Sequence, residues 1–349
     1  MELISSYGLI TQIYILVLTG IIGLVFGSFL NVVALRLISG ESIVFPASKC
    51  PKCQNTLVWY DNIPVLSYIM LSGKCRNCRD SISIQYPLVE AATSILFILL
   101  VNSYGVTLKT LCLLALTCCL IIITITDCRE KVIFDITSIP LIPLGLIYNF
   151  FDIGNTGSEI VQIPLKGIGI TISLNEIFIS AIIGAIIGGI FFEILSRIGF
   201  MMVGQYAFGT GDSIITAALG AWFGWKMLII ILALSFVFQF FIGVPVILLN
   251  MRKDKDYKSI TFMGVLMFSL FIPYIGRFLG LTNTFLGSLI VLLVTFAFAG
   301  AGIYVILERT KERQSFTFIA FGPALVLGGF LIMFYGQKLL NKYILTFLS

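Results

Sequence analysis

The chain has 349 residues, of which 58% are hydrophobic and 11% charged, and its formal net charge is +5. Soluble domains carry about 25% charged residues, so this composition excludes an ordinary soluble enzyme and also the disordered, fibrous and disulfide-rich secreted classes. The chain has no histidine, which excludes Ser-His-Asp and Cys-His catalysis and the HExxH zinc proteases. The basic residues lie beside apolar blocks, which indicates orientation in a lipid bilayer and no nucleic-acid partner.

Apolar windows of about 20 residues predict an all-α polytopic membrane protein of about ten spans. The predicted spans are 9–35, 87–104, 108–126, 136–152, 175–196, 212–224, 226–249, 259–276, 284–307 and 316–336. The first lacks a basic n-region and a cleavage site, which predicts a retained span and not a signal peptide. The sixth is short, and a re-entrant segment is the alternative.

The basic residues predict the orientation of these spans. Short loops rich in Lys and Arg stay in the cytoplasm. Placing the N-terminus outside puts most of the 22 Lys and Arg residues in cytoplasmic loops. We therefore expect both termini outside and the long polar stretch 37–86 in the cytoplasm.

That polar stretch contains four cysteines in two CxxC pairs separated by 21 residues: Cys50, Cys53, Cys75 and Cys78. Four thiolates in two tight pairs suit a tetrahedral structural zinc ion and leave no position open for catalysis. Disulfides are the alternative, which a reducing cytoplasm disfavours. The metal would organise a segment too small to hold a core unaided, so we predict a small cytoplasmic zinc-binding domain.

Two aspartates lie at the ends of predicted spans. Asp212 follows two glycines in FGTGDS and opens the sixth span, while Asp127 ends the third. An ionisable group at membrane depth is first interpreted as functional. The alternative for Asp212 is a helix start that the helix dipole favours. The alternative for Asp127 is an interfacial charge cluster with Arg129 and Lys131.

The predicted orientation puts both carboxylates at the cytoplasmic face, where they could meet. Two close carboxylates share one proton, so that one acts as a general base on water and the other as an acid, as in aspartic proteases. That chemistry needs no histidine. Asp135 is a second candidate partner, although periodicity places it at the start of the next span.

With these residues in hand, the sequence resembles the type IV prepilin peptidases, the bifunctional leader peptidases and N-methyltransferases of pilus and type II secretion systems. They are GxGD-type membrane aspartic proteases. Five segments carry the resemblance: GSFLNVVALRL (27–37), the cysteine domain running on to QYPLVE (50–90), the Asp127 segment, FGTGDSIITAALGAWFGW (208–225) and FGPALVLGG (321–329).

The resemblance implies that Asp127 and Asp212 form the protease dyad and that the four cysteines bind zinc. It also implies cleavage after a glycine that precedes the hydrophobic helix of a type IV prepilin or pseudopilin, in the bacterial inner membrane. The new amino terminus would then be methylated from S-adenosylmethionine. Asn31 and Glu90 are guesses for the methyl-donor site, with hydrogen bonding between helices as the alternative.

The predicted organisation is a first transmembrane helix (1–36), the zinc-binding domain (37–86), a membrane protease core (87–249), two additional spans (250–310) and a C-terminal span and tail (311–349). The additional spans depart from the common eight-span pattern of the family. Ile214 and Tyr206 stand where relatives usually carry charges, and Phe134 stands where a proline is common. A proton- or cation-relaying transporter and a catalytically altered assembly scaffold remain alternative functions.

Overall fold

The computed structural model describes residues 8–45, 47–151, 160–165, 170–203, 208–253 and 320–339, with single residues between 254 and 319. These residues are mostly helical. In chain order the helices are α1 (Leu9–Ser39), α2 (Leu66–Met70), α3 (Gln85–Tyr104), α4 (Leu108–Glu130), α5 (Asp135–Ser138), α6 (Leu141–Phe150), α7 (Glu176–Val203), α8 (Thr210–Lys253) and α9 (Gly322–Leu339). A 3-10 turn covers Trp59–Asn62 in the cysteine domain.

Five of the described helices, α1, α3, α4, α7 and α8, are long and apolar enough to cross a membrane. A helix satisfies its backbone hydrogen bonds internally, which is why apolar segments of this length adopt it in lipid. The multi-pass membrane class is therefore confirmed. The predicted spans 259–276 and 284–307 lie outside the described residues, so the ten-span count and the placement of the termini stay predictions.

The chain between α4 and α7 differs from the prediction in two ways. The predicted span 136–152 is two short helices, α5 and α6, because Pro140 between them has no N–H to donate to a continuous helix. A β-hairpin follows, in which β1 (Ile160–Leu165) pairs antiparallel with β2 (Ile170–Asn175). The all-α prediction was wrong for these residues, whose β-branched composition favours strands.

Packing divides the described residues into two units. The first contains the described residues up to Phe192, together with Thr210–Phe236 and the residues from Ala320 onward. The second contains the described residues of 193–209 and 237–319. All the predicted site residues that the structure describes belong to the first unit.

Within that unit, α1 and α3 approach each other closely along a row of glycines on α1. A methyl group built at Gly23 would lie 2.6 Å from the Cα of Ser94, and one at Gly27 would lie 2.7 Å from the Cα of Glu90. The Ser94 hydroxyl donates a hydrogen bond of 2.8 Å to the carbonyl of Gly20. Small residues that let two backbones approach are the usual basis of helix association in membranes.

We expect Gly27→Ala to destabilise this helix pair by about 1–3 kcal/mol, the usual cost of overpacking. The added methyl meets backbone, which cannot move away. Gly20→Ala is the matched control, because its methyl meets the flexible end of Ile98 at 3.0 Å. The stability of both variants is measured by thermal unfolding in detergent. Equal losses of stability in the two variants would contradict the role of the close approach between backbones.

Helix α8 consists of two helices joined at Gly224, whose φ of 76° and ψ of 168° break the helix. The break agrees with the predicted boundary between spans 212–224 and 226–249. Before it, α8 packs against α7 so closely that a methyl at Gly184 would lie 2.6 Å from the carbonyl oxygen of Gly220. The indole N–H of Trp222 donates to the carbonyl of Leu141 at 2.8 Å. These contacts fix the first part of α8, where Asp212 lies.

Candidate active site and metal centre

Asp127 lies in the last turn of α4 and its side chain is buried, with 4% of the residue exposed. Its Oδ2 accepts a hydrogen bond of 2.9 Å from the backbone N–H of Gly322, the first residue of α9. Lys131, the residue after the helix, adopts the left-handed conformation and donates its N–H to the carbonyl of Asp127 at 3.0 Å. Two backbone N–H groups therefore hold the aspartate at the end of a span: that of Gly322 bonds to its side chain, and that of Lys131 bonds to its carbonyl.

Asp212 lies in the first turn of α8 and is 8% exposed. The Thr216 hydroxyl donates to its backbone carbonyl at 2.7 Å. The preceding residue, Gly211, lies against the loop after α4, where a methyl group built on it would come within 2.6 Å of the Cβ of Ile133. The glycine is required for this close approach. The structure therefore brings the start of α9 to Asp127 at the end of α4, and the start of α8 to the loop that follows α4.

The other residues that the sequence singled out are placed as follows, apart from Lys131, which adjoins Asp127 as described above. Asp135 is exposed at the start of α5. Arg129 donates a hydrogen bond of 2.8 Å to the Oε1 of Gln85 on α3. Ile214 is half-buried, and Tyr206 lies outside the described residues. Phe134 is the residue before α5, in an extended conformation that ends the loop.

The four predicted zinc ligands, Cys50, Cys53, Cys75 and Cys78, do come together. Their Sγ atoms all lie within 4.8 Å of one another, and those of Cys50 and Cys78 are 3.9 Å apart. Zn–S bonds of about 2.3 Å in a tetrahedron place sulfurs about 3.8 Å apart. The donor set and its dimensions therefore fit a zinc ion after a slight contraction.

Each cysteine pair lies in the same kind of turn, repeated along the chain. The N–H of Gln54 bonds to the carbonyl of Cys50 at 2.9 Å, and the N–H of Arg79 bonds to the carbonyl of Cys75 at 3.0 Å. Gln54 and Arg79 both have a positive φ, of 58° and 59°. Backbone bridges close the two turns at equivalent positions: Lys49 with Thr56, and Lys74 with Ser81. The cluster is thus built from two copies of one local turn.

The backbone of the second turn favours the thiolate of one of its two cysteines, Cys75, whereas the pKa of Cys78 is raised to about 11. The N–H groups of Cys78 and Asn77 hydrogen-bond to the sulfur of Cys75 and lower its pKa to about 7. The thiolate is the form that binds metal. Arg76 in the same turn donates to Asp61 through two nitrogens at 2.7 and 3.0 Å, which ties the turn to the 3-10 segment.

Asn31 and Glu90 are both buried and hydrogen-bonded within the protein. The Oε2 of Glu90 accepts the N–H of Val65 at 2.8 Å and so joins α3 to the cysteine domain. The amide of Asn31 donates to the carbonyl of Tyr86 and accepts from the Gln85 side chain, both at 3.4 Å. Interhelical hydrogen bonding is thus observed for Asn31, and the cofactor role of both residues stays a prediction.

Sequence reasoning missed Gly322 as a site residue. Its segment was noticed only for its resemblance to the family. One local signal was present, because a glycine followed by Pro323 at the beginning of an apolar run is typical of a helix start. Nothing in that signal points to Asp127.

The fold and the site define a multi-pass helical membrane protein with a four-cysteine centre in the segment between α1 and α3 and two buried aspartates, one at the end of α4 and one at the start of α8. Residues 21–104 match the bacterial peptidase A24 N-terminal domain, and residues 114–244 match the type IV leader peptidase family. The chain belongs to the type IV leader peptidase family, as its motifs indicated.

Individual relatives agree with this assignment. The chain is 32% identical over 271 residues to a prepilin leader peptidase/N-methyltransferase of Pseudomonas putida, an alignment covering 71% of the chain and 86% of that protein. It is 33% identical over 279 residues to the protein of that name from Neisseria gonorrhoeae, covering 72% and 89%. No solved structure matches the chain.

Proposed function

We propose that the protein is a membrane aspartic endopeptidase that removes the leader peptide of type IV prepilins or pseudopilins and then N-methylates the new terminal residue. The observation that carries the proposal is the burial of Asp127 at the end of α4 and of Asp212 at the start of α8 in a chain of this family. We place the cleavage reaction at the cytoplasmic face of the bacterial inner membrane as part of this proposal. The domain boundaries of the sequence analysis belong to the same proposal.

The proposed cleavage uses one proton shared by the two carboxyl groups. The ionised aspartate accepts a proton from a water molecule, whose oxygen attacks the carbonyl carbon of the scissile peptide. The protonated aspartate donates to the carbonyl oxygen, which gives a gem-diol and leaves that aspartate ionised. The aspartate that took the proton from water then donates it to the departing amine as the C–N bond breaks, and one hydroxyl of the diol returns its proton to the other aspartate. Burial of both side chains supports this arrangement, because a shielded site makes a shared proton favourable over two charges.

The location of the aspartates supports a membrane-anchored substrate. Asp127 ends one apolar span and Asp212 begins another. A substrate whose apolar helix lies in the bilayer presents the peptide bond before that helix at the same level. Family membership supports a peptidase over the transporter considered from the sequence.

Zinc and S-adenosylmethionine are the proposed cofactors. Cys50, Cys53, Cys75 and Cys78 would hold zinc as a closed structural site, which stabilises the cytoplasmic domain without taking part in cleavage. S-adenosylmethionine supplies an activated methyl group for the new amine. The polar atoms of Asn31 and Glu90 contact neighbouring protein groups, so we derive no methyl-transfer step through them.

The test is an assay of the purified protein in detergent with a prepilin that has a short basic leader, with and without S-adenosylmethionine. Mass spectrometry should show loss of the leader in both reactions and one added methyl group only with the donor. Absence of cleavage by folded, zinc-loaded protein would leave the assembly scaffold or the transporter as the function. Cleavage without methylation would remove only the second activity.

A further inference from the structure

We propose that Gly322 is a positioning residue that holds the carboxyl group of Asp127 in its reactive orientation, an inference that rests on the proposed peptidase function. The two residues are 195 positions apart, yet the Gly322 N–H donates to Asp127 Oδ2 at 2.9 Å. The bond is buried. A hydrogen bond from a fixed backbone group to a carboxylate is charge-assisted and restricts its rotation.

The position admits no side chain. A methyl group built at Gly322 would overlap Oδ2 of Asp127 and lie 3.2 Å from its Cγ. The φ of Gly322 is not positive, so its backbone conformation is one that any residue can adopt. The obstacle to a larger residue is therefore the carboxyl group of Asp127 itself.

The start of α9 is fixed independently of Asp127. Phe321 is buried, and its ring contacts those of Phe192 and Phe236 at centroid distances of 5.2 Å. Farther along α9, a methyl at Gly328 would lie 2.7 Å from the hydroxyl of Ser235 on α8. The N–H of Gly322 is consequently a rigid donor that reaches α4 from a helix packed on α8. It couples the helix that carries one aspartate to the helix that carries the other.

The first test compares Gly322→Ala with Gly329→Ala in the prepilin assay. Gly329 lies on the same helix, and among the described residues its added methyl meets only the end of the Leu219 side chain, at 3.0 Å. We expect Gly322→Ala to lower kcat about 100-fold with KM unchanged, because displacement of a reacting group by about 1 Å costs that much. Gly329→Ala should keep the wild-type kcat. Wild-type kcat in Gly322→Ala would overturn the proposal.

The second test needs no activity and measures thermal unfolding in a double-mutant cycle with Asp127→Ala. Gly322→Ala should lower Tm in the wild-type background and have little effect once the overlapping carboxyl is gone. If Gly322→Ala alone fails to fold, recovery of folding in the double variant supports the contact. Equal losses of Tm in the wild-type and Asp127→Ala backgrounds would overturn the proposal. Failure of both Gly322→Ala and the double variant to fold would also overturn it. A wild type that does not cleave would refute the peptidase function, while this cycle would still decide the contact.

Discussion

Asp127→Asn and Asp212→Asn should each lower kcat for prepilin cleavage by about 10⁴-fold, the upper range for loss of a general acid or base. Asparagine keeps the volume of the side chain and removes its proton chemistry. Its amide oxygen can still accept the N–H of Gly322, so the geometry at residue 127 is retained. The measurement is single-turnover cleavage of a prepilin in detergent, followed by product mass.

Asp135→Asn is the matched control for the dyad. Asp135 is eight residues from Asp127, lies exposed at the start of α5, and was a candidate partner from the sequence. We expect this variant to cleave at the wild-type rate. All three variants should retain the thermal unfolding profile of the wild type. Cleavage retained by either dyad variant, or lost in Asp135→Asn, would reject the assignment of Asp127 and Asp212.

Cys75→Ser should remove zinc from the purified protein and unfold the cysteine domain. Four thiolates within 4.8 Å of one another form a complete tetrahedral set, and a serine hydroxyl does not replace the missing thiolate. Structural zinc contributes about 10–16 kcal/mol in small zinc domains near pH 7, which exceeds the stability that so short a segment can gain from its core. Metal analysis of the purified protein gives the zinc content, and thermal unfolding gives the stability.

Cys112→Ser is the control for metal binding, since Cys112 lies on α4 away from the cluster. It should keep the zinc of the wild type. In Cys75→Ser we expect the loss to fall mainly on stability or methyl transfer, with part of the cleavage retained. The reason is that the hydrogen bonds observed at Asp127 and Asp212 come from α4, α8 and α9. Wild-type zinc content in Cys75→Ser would contradict the metal site.

The sequence alone predicted the features that depend on interactions between residues close to each other in the chain. A CxxC turn brings two thiols together whatever lies around it, so Cys50, Cys53, Cys75 and Cys78 could be assigned from spacing. Long apolar segments predict spans because, in lipid, the backbone N–H and C=O groups must be hydrogen-bonded within the protein. All five candidate spans of the described residues overlap predicted ones. Asp127 and Asp212 were noticed because charge is rare in such segments.

Local composition also explains the errors. The hydropathy of 136–152 suggested one span, but Pro140 divides it into α5 and α6. Residues 160–175 were not predicted as strands. Their pairing is a contact between two segments, and a search for apolar windows detects no pairing.

Only the tertiary structure decided how the candidate site is assembled. The donor to Asp127 is the backbone N–H of Gly322, and every residue except proline has such a group, so no sequence pattern marks it. The same holds for Gly211 against Ile133, where the two segments approach so closely that only a residue without a Cβ atom fits. Residue types in the sequence determined which groups could carry the chemistry. Close approaches between distant backbones determined which of them meet.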